Sequence, residues 1–407
     1  MKKAFLALAT AMCFSSMAAN ASNITPYVVG GDPVTDIGTQ SWMASLRVVP
    51  MDNAHNCGAS VIAENWLVTA AHCVVTANSS GKYFVIQPHH LNVAVGSATL
   101  SLPSVSNLYS VSHVVVHPDY APDGEFEKDY NGEITVKRTG LYSDIALLRV
   151  HRAFPADSVT PITLATSEVA DEIDARLSAE WNAANRVKNT SVSGWGAVDV
   201  GATEIPNRLQ TAELTHLPIA DCFELIEKGN TVHGIIESPF DVTKICSMSP
   251  EIRDDIVIVE PDPETDEDGN PVETDPIYTG DYGADSCKGD SGGPLRAQDA
   301  NGNWVQIGIV SGGVVGTPIC GSVSRPSFYT RVGTYNAWVQ KTIANVPSSP
   351  ITEPNFIADD KSEQCNPNSD GVSHTNCDMI QNSGSGGGIG AGLLSLLALG
   401  WLRRKTK

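Results

Sequence analysis

The 407-residue sequence is short of basic residues, because 26 Lys and Arg stand against 46 Asp and Glu and give a net charge of −20. This excess of negative charge argues against nucleic acid and anionic membrane surfaces as partners. Aromatic residues are also few, at 6%, but 42% of the residues are hydrophobic, enough for one large or two ordinary domains. No Cys-x-x-Cys pair is present, and we predict neither a metal site nor a cofactor from the cysteines. The composition indicates a soluble, folded protein that acts outside a cell.

The N-terminus has the pattern of an export signal. Lys2 and Lys3 precede an apolar run that ends in Ala19-Asn20-Ala21, and we interpret residues 1–21 as a signal peptide. A buried N-terminal helix is the alternative. Cys13 would leave with the signal, and the remaining eight cysteines, an even number in an exported chain, favour disulfides over metal thiolates.

The C-terminal part of the sequence is polar and then apolar. Residues 346–383 are rich in Pro, Ser, Asn and Asp, and we interpret them as a spacer in which Cys365 and Cys377 could close a loop. Residues 384–407 contain a Gly-rich stretch, a 14-residue apolar run (389–402) and a basic end. The run is shorter than the ~20 residues of a membrane-spanning helix. The order resembles a bacterial GlyGly-type sorting tail, which implies transient anchoring and trimming by a membrane protease; a disordered tail is the alternative.

Between residues 28 and 345 the sequence alternates short β-like runs with turns. This pattern predicts an all-β sandwich or barrel. The predicted strands include Trp42–Val49, Ser60–Val68, Leu91–Val95, Val111–His117, Ile145–Val150, Ser191–Trp195, Trp304–Val310 and Phe328–Val332. Thr334–Asn345 has helical spacing of its apolar residues and is predicted to end the domain.

Residues 250–276 form an acidic segment with eleven Asp and Glu and a single Arg. A solvated loop is the simplest interpretation. Within residues 260–276, the order of Glu264, Asp266, Asp268 and Gly269 approaches that of a calcium loop, although its first and last positions differ. A structural calcium is therefore an alternative at this segment.

Three short motifs offer the parts that acyl transfer needs: a nucleophile, a base, a group that orients the base, and donors for an oxyanion. His72 in TAAHC is the candidate base, and Asp144 in DIALL is the candidate orienting acid. Ser291 in GDSGGP is the candidate nucleophile. Gly289 has no side chain, which lets a substrate carbonyl approach the backbone amides of Gly289 and Ser291, the predicted oxyanion hole.

In this order, with these surrounding motifs, His72, Asp144 and Ser291 resemble the chymotrypsin/trypsin family of serine peptidases. The resemblance covers about residues 28–345 and includes VVGG at 28–31 and GWG at 194–196. It implies two six-stranded antiparallel β-barrels, roughly 28–155 and 156–345, packed together with a C-terminal helix. It also implies the disulfides Cys57–Cys73, Cys222–Cys246 and Cys287–Cys320.

The same resemblance implies a specificity pocket. Asp285 would lie at its base and select Lys or Arg, beside Ser286. Gly313 and Ser327 would be walls, and 311–313 the edge that pairs with substrate backbone. Ser327 stands where the family has glycine and Gly312 where it has Trp, and both departures bear on specificity.

The resemblance further implies activation by cleavage. Residues 22–27 would be a propeptide, and a new ammonium at Val28 would pair with buried Asp290 and shape the oxyanion hole. Tyr27 precedes the cleavage point instead of Arg or Lys, so we expect a separate activating peptidase.

The sequence therefore predicts a secreted serine endopeptidase that acts on proteins or peptides. The alternative is a surface binding or adhesion protein with a peptidase fold that is never activated. An esterase of the Gly-x-Ser-x-Gly type is disfavoured, because its acid would follow the serine in the chain.

Overall fold

The computed structural model describes residues 28–362, except 52, 102–105, 129–133, 229–232, 252–256, 260–276, 280–281, 315 and 317. Several predictions fall outside the described residues: the signal peptide, the propeptide, Cys365 and Cys377, the sorting tail and the calcium candidate at 260–276.

The described residues contain twenty β-strands, many of them short. These are β1 (Asp32–Pro33), β2 (Met43–Val48), β3 (Ala54–Ala63), β4 (Trp66–Thr69), β5 (Val75–Ala77), β6 (Tyr83–Val85), β7 (Leu91–Val95), β8 (Leu108–Val116), β9 (Glu125–Lys128), β10 (Ile134–Arg138), β11 (Ala146–Val150), β12 (Thr190–Gly194), β13 (Gln210–Leu217), β14 (Lys244–Met248), β15 (Val257–Val259), β16 (Ile277–Thr279), β17 (Pro294–Gln298), β18 (Trp304–Gly313), β19 (Ser327–Arg331) and β20 (Ile351–Thr352).

Four α-helices accompany the strands: α1 (Ser167–Glu180), α2 (Ile219–Glu227), α3 (Val332–Ala344) and α4 (Asn355–Ser362). The predicted C-terminal helix of the domain corresponds to α3. Helix α1 was not predicted; the Thr166 side chain caps it by accepting a hydrogen bond from the Val169 amide at 3.3 Å.

The first barrel consists of six antiparallel strands in the order β11-β4-β3-β2-β7-β8, and the pairing of β11 with β8 closes it. The second barrel has the order β13-β12-β17-β18-β19-β14 and is closed by the pairing of β13 with β14. The predicted pair of six-stranded barrels is confirmed. A barrel has no free edges, so each has its backbone groups paired around the full circle.

The two ends of the domain each pack on the barrel that is remote in sequence. Strand β1 pairs with β13 of the second barrel, where Val28 lies in the core. Helix α3 places Val332, Tyr335 and Val339 in the core of the first barrel. The barrels are therefore held together by exchanged terminal segments as well as by their direct contact.

The chain continues on the first barrel beyond α3. Strand β20 pairs in parallel with β8, through Ile351 opposite Val114. Helix α4 then buries Ile357 and places Phe356 against the ring of Tyr83, with ring centroids 5.6 Å apart. These residues fall in the segment that the sequence predicts to be a polar spacer, and the folded part of the chain extends through α4.

None of the helices among the described residues has the length and apolar character needed to cross a membrane.

Candidate active site

Strand pairing brings His72 and Asp144 together. Ala146 at the start of β11 pairs with Thr69 at the end of β4, and the two strands are antiparallel. The chain leaving β4 and the chain entering β11 therefore lie side by side. One turn of 3-10 helix, Ala71–Cys73, then presents His72 to Asp144.

Asp144 is fully buried, and its carboxylate accepts three hydrogen bonds. His72 donates from Nδ1 at 2.8 Å and from its backbone amide at 2.9 Å, and Ser311 donates from Oγ at 2.6 Å. Burial raises the pKa of Asp144, but the charge and hydrogen bond of His72, with the bond from Ser311, bring it below its usual value. The carboxylate therefore stays ionised and favours the tautomer with a proton on Nδ1. Nε2 of His72, which lies 3.8 Å from the disulfide-bonded sulfur of Cys73, can then accept a proton.

Ser291 is fixed to the first barrel through its backbone. The Gly58 amide donates to the Ser291 carbonyl at 2.7 Å, and the disulfide from neighbouring Cys57 reaches Cys73, next to His72. Gly292 has φ +80°, and a Cβ there would collide with the Thr69 hydroxyl and the Gly58 carbonyl. These contacts place Ser291 at the same junction between the barrels as the His72–Asp144 pair.

The predicted oxyanion hole has the required donors. Gly289 has φ +101°, and a Cβ added there would lie only 3.0 Å from the Cα of Gly196. Within the described part of the chain, the amides of Gly289 and Ser291 have no hydrogen-bond acceptor. Two unpaired amides beside the candidate nucleophile are suited to bind a carbonyl oxygen that gains negative charge.

The sequence analysis did not predict a role for His55, which holds Gly289 in place. Its Nε2 donates to the Gly289 carbonyl at 3.0 Å, and Nδ1 accepts from the Ser45 hydroxyl at 2.9 Å. Burial lowers the pKa of His55 to about 4, so the ring is neutral near pH 7. Its position two residues before Cys57 was the only available sequence signal.

Asp290, which precedes Ser291 in the chain, is fully buried. It accepts from the Gly196 amide at 2.7 Å and the Cys287 amide at 2.9 Å. A Cβ at Gly194 or Gly196 would overlap this carboxylate, which explains the glycines of the GWG motif. Burial raises the pKa of Asp290 to about 7. None of the described residues forms an ion pair with this carboxylate.

The segment that begins at Val28 lies close to the same region. Val28 and Val29 are fully buried, and the Val29 carbonyl accepts from the Asp285 amide at 3.0 Å. Gly30, at φ +76°, packs directly on the backbone of Ala284. The predicted activation segment and the predicted specificity pocket therefore contact each other.

Asp285 and the predicted pocket walls are brought together. Asp285 accepts from the Ser327 hydroxyl at 2.6 Å and from the Gly321 amide at 3.0 Å. Gly313 faces Ser327, because a Cβ on Gly313 would lie 3.5 Å from the Ser327 hydroxyl. Ser286 is buried, with its hydroxyl 3.4 Å from that of Tyr329. Burial raises the pKa of Asp285 to about 6, and the bond from Ser327 opposes this shift.

Strand β18 joins the pocket to the His72–Asp144 pair. Ser311 was predicted to border the substrate, and its side chain also donates to Asp144. Gly312 pairs with Phe328 across β18 and β19, and the Phe328 ring covers the space above this glycine. The Phe328 ring therefore lies where a side chain at position 312 would project, but it is buried and offers no aromatic surface to a substrate.

The three disulfides that the sequence suggested within residues 28–345 are present: Cys57–Cys73, Cys222–Cys246 and Cys287–Cys320. Cys57, His72 and Cys73 are the one group of potential metal ligands among the described residues, and both of its cysteines are disulfide-bonded. His113 and His117 have the four-residue spacing of helical zinc ligands, but they belong to the region of strand β8, where that spacing covers about 13 Å.

Comparison with known proteins agrees with this geometry. The family model described as Trypsin matches residues 28–339. The chain is 27% identical over 338 residues to human Serine protease 41, covering 81% of this chain and 80% of that protein. It is 28% identical over 329 residues to human Testisin, covering 79% of each, and 27% identical over 326 residues to Phenoloxidase-activating factor 3 of Holotrichia diomphalia, covering 78% and 72%. With its two barrels and these motifs, the chain belongs to the trypsin family and is a trypsin-like serine endopeptidase.

Proposed function

We propose that the protein is an exported endopeptidase that cleaves after Arg or Lys once the chain has been cut before Val28. Ser291 is its nucleophile, His72 its base and then its acid, and Asp144 the group that orients the ring. One observation carries this proposal: the carboxylate of the fully buried Asp144 accepts a hydrogen bond from His72 Nδ1 at 2.8 Å. This pair lies at the junction between the barrels where the backbone of Ser291 is also bound.

In the first half of the reaction, Ser291 Oγ forms a bond to the carbonyl carbon of the substrate. Its proton moves to His72 Nε2, and the carbonyl oxygen becomes an oxyanion bound by the amides of Gly289 and Ser291. His72 then protonates the leaving amine as the C–N bond breaks, leaving an acyl ester on Ser291. A water then attacks the ester carbonyl while His72 Nε2 takes its proton. The bond between the acyl carbon and Ser291 Oγ breaks, His72 returns the proton to Oγ, and the new carboxylic acid leaves as the second product.

The preference for Arg or Lys is supported by Asp285. It is the acidic group of a pocket whose walls are Gly313 and Ser327. A carboxylate at this position attracts a cationic side chain, and a neutral one gains nothing from it. The Ser327 hydroxyl uses one carboxylate oxygen, so we expect a weaker preference than a glycine at this position would allow.

Activation by cleavage is supported by the state of Asp290. In the intact chain Val28 carries a peptide amide, and the buried carboxylate of Asp290 forms no ion pair with any described residue. A free ammonium at Val28 would supply the missing charge to this carboxylate. Because Asp290 adjoins Ser291, its pairing would fix the segment that contains the oxyanion donors. Tyr27 means that the activating enzyme differs in specificity from this one.

Export is supported by the signal-like residues 1–21 and by the three disulfides, which persist in oxidising compartments. We extend the proposal to the C-terminal tail, which a membrane protease would trim to release the enzyme or leave it at the cell surface.

The test uses the exported protein and a version whose N-terminus begins at Val28. A fluorophosphonate probe should label the processed protein at Ser291, and the Ser291→Ala variant should remain unlabelled. Absence of labelling in the correctly processed protein would favour a binding protein without activity. Mass spectrometry of a cleaved peptide library should then show Arg or Lys before the cut bond; Phe, Leu or Ala at that position would overturn the assigned specificity while leaving the mechanism intact.

A further inference from the structure

A buried lysine lies behind the candidate acid of the active site. Lys244 begins strand β14 and is only 2% exposed. Its ammonium donates a hydrogen bond to the carbonyl of Leu141, three residues before Asp144, and lies 5.6 Å from the centre of the Phe328 ring. Burial of an ammonium is unfavourable unless it is compensated, so its presence at this place requires a reason.

The turn that Lys244 contacts is strained. Leu141 and Ser143 both have φ +49°, a left-handed backbone conformation that residues other than Gly, Asn and Asp seldom adopt. Such strain persists only where the surrounding structure enforces it. The Leu141 amide donates to the Pro122 carbonyl at 3.1 Å, and the Tyr335 hydroxyl contacts the Ser143 hydroxyl at 3.2 Å. Lys244 adds the restraint on the carbonyl side of Leu141.

The charges around Lys244 connect it to the acid–base pair. Burial lowers the pKa of Lys244, and the carboxylates of Asp144 and Asp241 oppose that shift. Burial also lowers the pKa of His72, Asp144 raises it so that the net shift is upward, and the charge of Lys244 counteracts part of this rise. Other titratable groups of the described chain also lie in this region. Burial raises the pKa values of three phenols, Tyr120, Tyr142 and Tyr335, so they are neutral near pH 7. The ring of His117, whose pKa burial lowers, packs on Tyr335 with ring centroids 5.0 Å apart.

We propose that Lys244 is a positioning residue for the peptidase reaction: by binding the Leu141 carbonyl, its ammonium holds the strained turn that presents Asp144 to His72. This inference rests on the proposed roles of His72, Asp144 and Ser291. It goes beyond them because Lys244 touches neither the substrate nor the reacting atoms, and acts only through the turn and through its charge.

Two substitutions separate the hydrogen bond from the charge. Lys244→Met keeps an unbranched side chain but loses the donor and the charge. Lys244→Gln loses the charge but retains an N–H donor that can face Leu141. We expect kcat to fall by about tenfold to a hundredfold in the Met variant, with KM little changed, and less in the Gln variant. In both variants the acidic limb of the kcat/KM profile should move to higher pH, because loss of the nearby cation raises the pKa of His72.

Arg296→Met is the matched control. Arg296 is also a buried cation of the second barrel, 8% exposed, but it donates to Ser191 and lies near Trp42 and Trp304 instead of the active site. This variant should lose stability without a shift of the acidic limb. If Lys244→Met and Lys244→Gln behave like it, with an unmoved limb and equal effects on kcat, Lys244 is only structural and the proposal is overturned.

If Lys244→Met does not fold, Lys244→Gln still tests the proposal, because the acidic limb of the kcat/KM profile is expected to move to higher pH in both variants. Failure of the proposed function would look different, because the wild-type protein that begins at Val28 would then fail to react with the fluorophosphonate probe.

Discussion

The two barrels have the same strand order but different interiors. The first encloses one continuous apolar cluster, and its acid–base pair lies at the rim. The second is divided into smaller clusters and buries Lys244, Asp290 and Arg296. A continuous apolar core gives His72 and Asp144 a rigid support. The first barrel also buries Arg47, but the second buries more charged groups and therefore depends more on protonation and on its partners. Under the proposed function, the first barrel would supply proton transfer and the second would supply selectivity and control.

The largest effect should come from the acid of the first barrel. In Asp144→Asn, the amide stabilises the wrong tautomer of His72, and kcat should fall about 10⁴-fold while the fold is retained. Steady-state kinetics on the processed enzyme, with circular dichroism as a check on folding, measures this. Retention of more than a tenth of kcat would contradict the assignment of proton transfer to this barrel.

The second effect concerns stability and tests whether α4 belongs to the first barrel. Ile357 is 2% exposed in the core of that barrel, and Ile357→Ala should lower the free energy of unfolding by about 2–4 kcal/mol. Phe240, which is 84% exposed, provides the control, since Phe240→Ala should change stability by less than about 0.5 kcal/mol. Urea denaturation measures both. Equal stability of the two variants would mean that α4 does not contribute to the core.

A third effect separates the barrels by pH. The pKa of Asp285 is about 6, so its carboxylate is charged above that pH and neutral below it. The ratio of kcat/KM for an Arg peptide to that for a Leu peptide should therefore fall about tenfold from pH 7 to pH 5. Titration of His72 affects both substrates equally and cancels in the ratio. In Asp285→Ser the ratio should not vary with pH, and a wild-type ratio that is constant would show that the pocket does not use this charge.

The smallest effect is expected at the pocket wall. Ser327→Gly removes the hydroxyl that donates to Asp285 at 2.6 Å and leaves that carboxylate oxygen available to substrate. The measurement is made at pH 8 or above, where Asp285 stays ionised although loss of the Ser327 hydrogen bond raises its pKa. There, KM for Arg peptides should fall by about threefold, with kcat unchanged, as expected for the loss of a competing hydrogen bond. A rise in KM would mean that the Ser327 hydroxyl helps to bind the substrate.

The sequence was informative where a residue type is required by local chemistry. The glycines around Ser291 and in the GWG motif leave room for atoms that the structure places there, and the apolar strand after Asp144 predicted its burial. Features that depend on distant segments could not be predicted. Strand β20 has only two residues and pairs in parallel with a strand more than 200 positions earlier, and the polar helix α1 has few apolar positions to mark it.

The roles of His55 and Lys244 were missed for a related reason. A histidine near a cysteine and a lysine at the start of an apolar strand are both usually solvent-exposed, and only the tertiary fold reveals their carbonyl partners. The pairing of Ser311 with Asp144 joins residues 167 positions apart and had no local signal.

The exchange of terminal segments between the barrels also constrains how the protein is made. A chain that emerges from its N-terminus onward has all six strands of the first barrel by residue 150, but the interior of that barrel still lacks the side chains of α3 and Ile357. The first barrel therefore remains incompletely packed until almost the whole chain has emerged. Folding of the two barrels should therefore be completed late and in one step. A shortened chain that ends before residue 332 should be degraded by quality-control proteases instead of persisting as a half-active fragment.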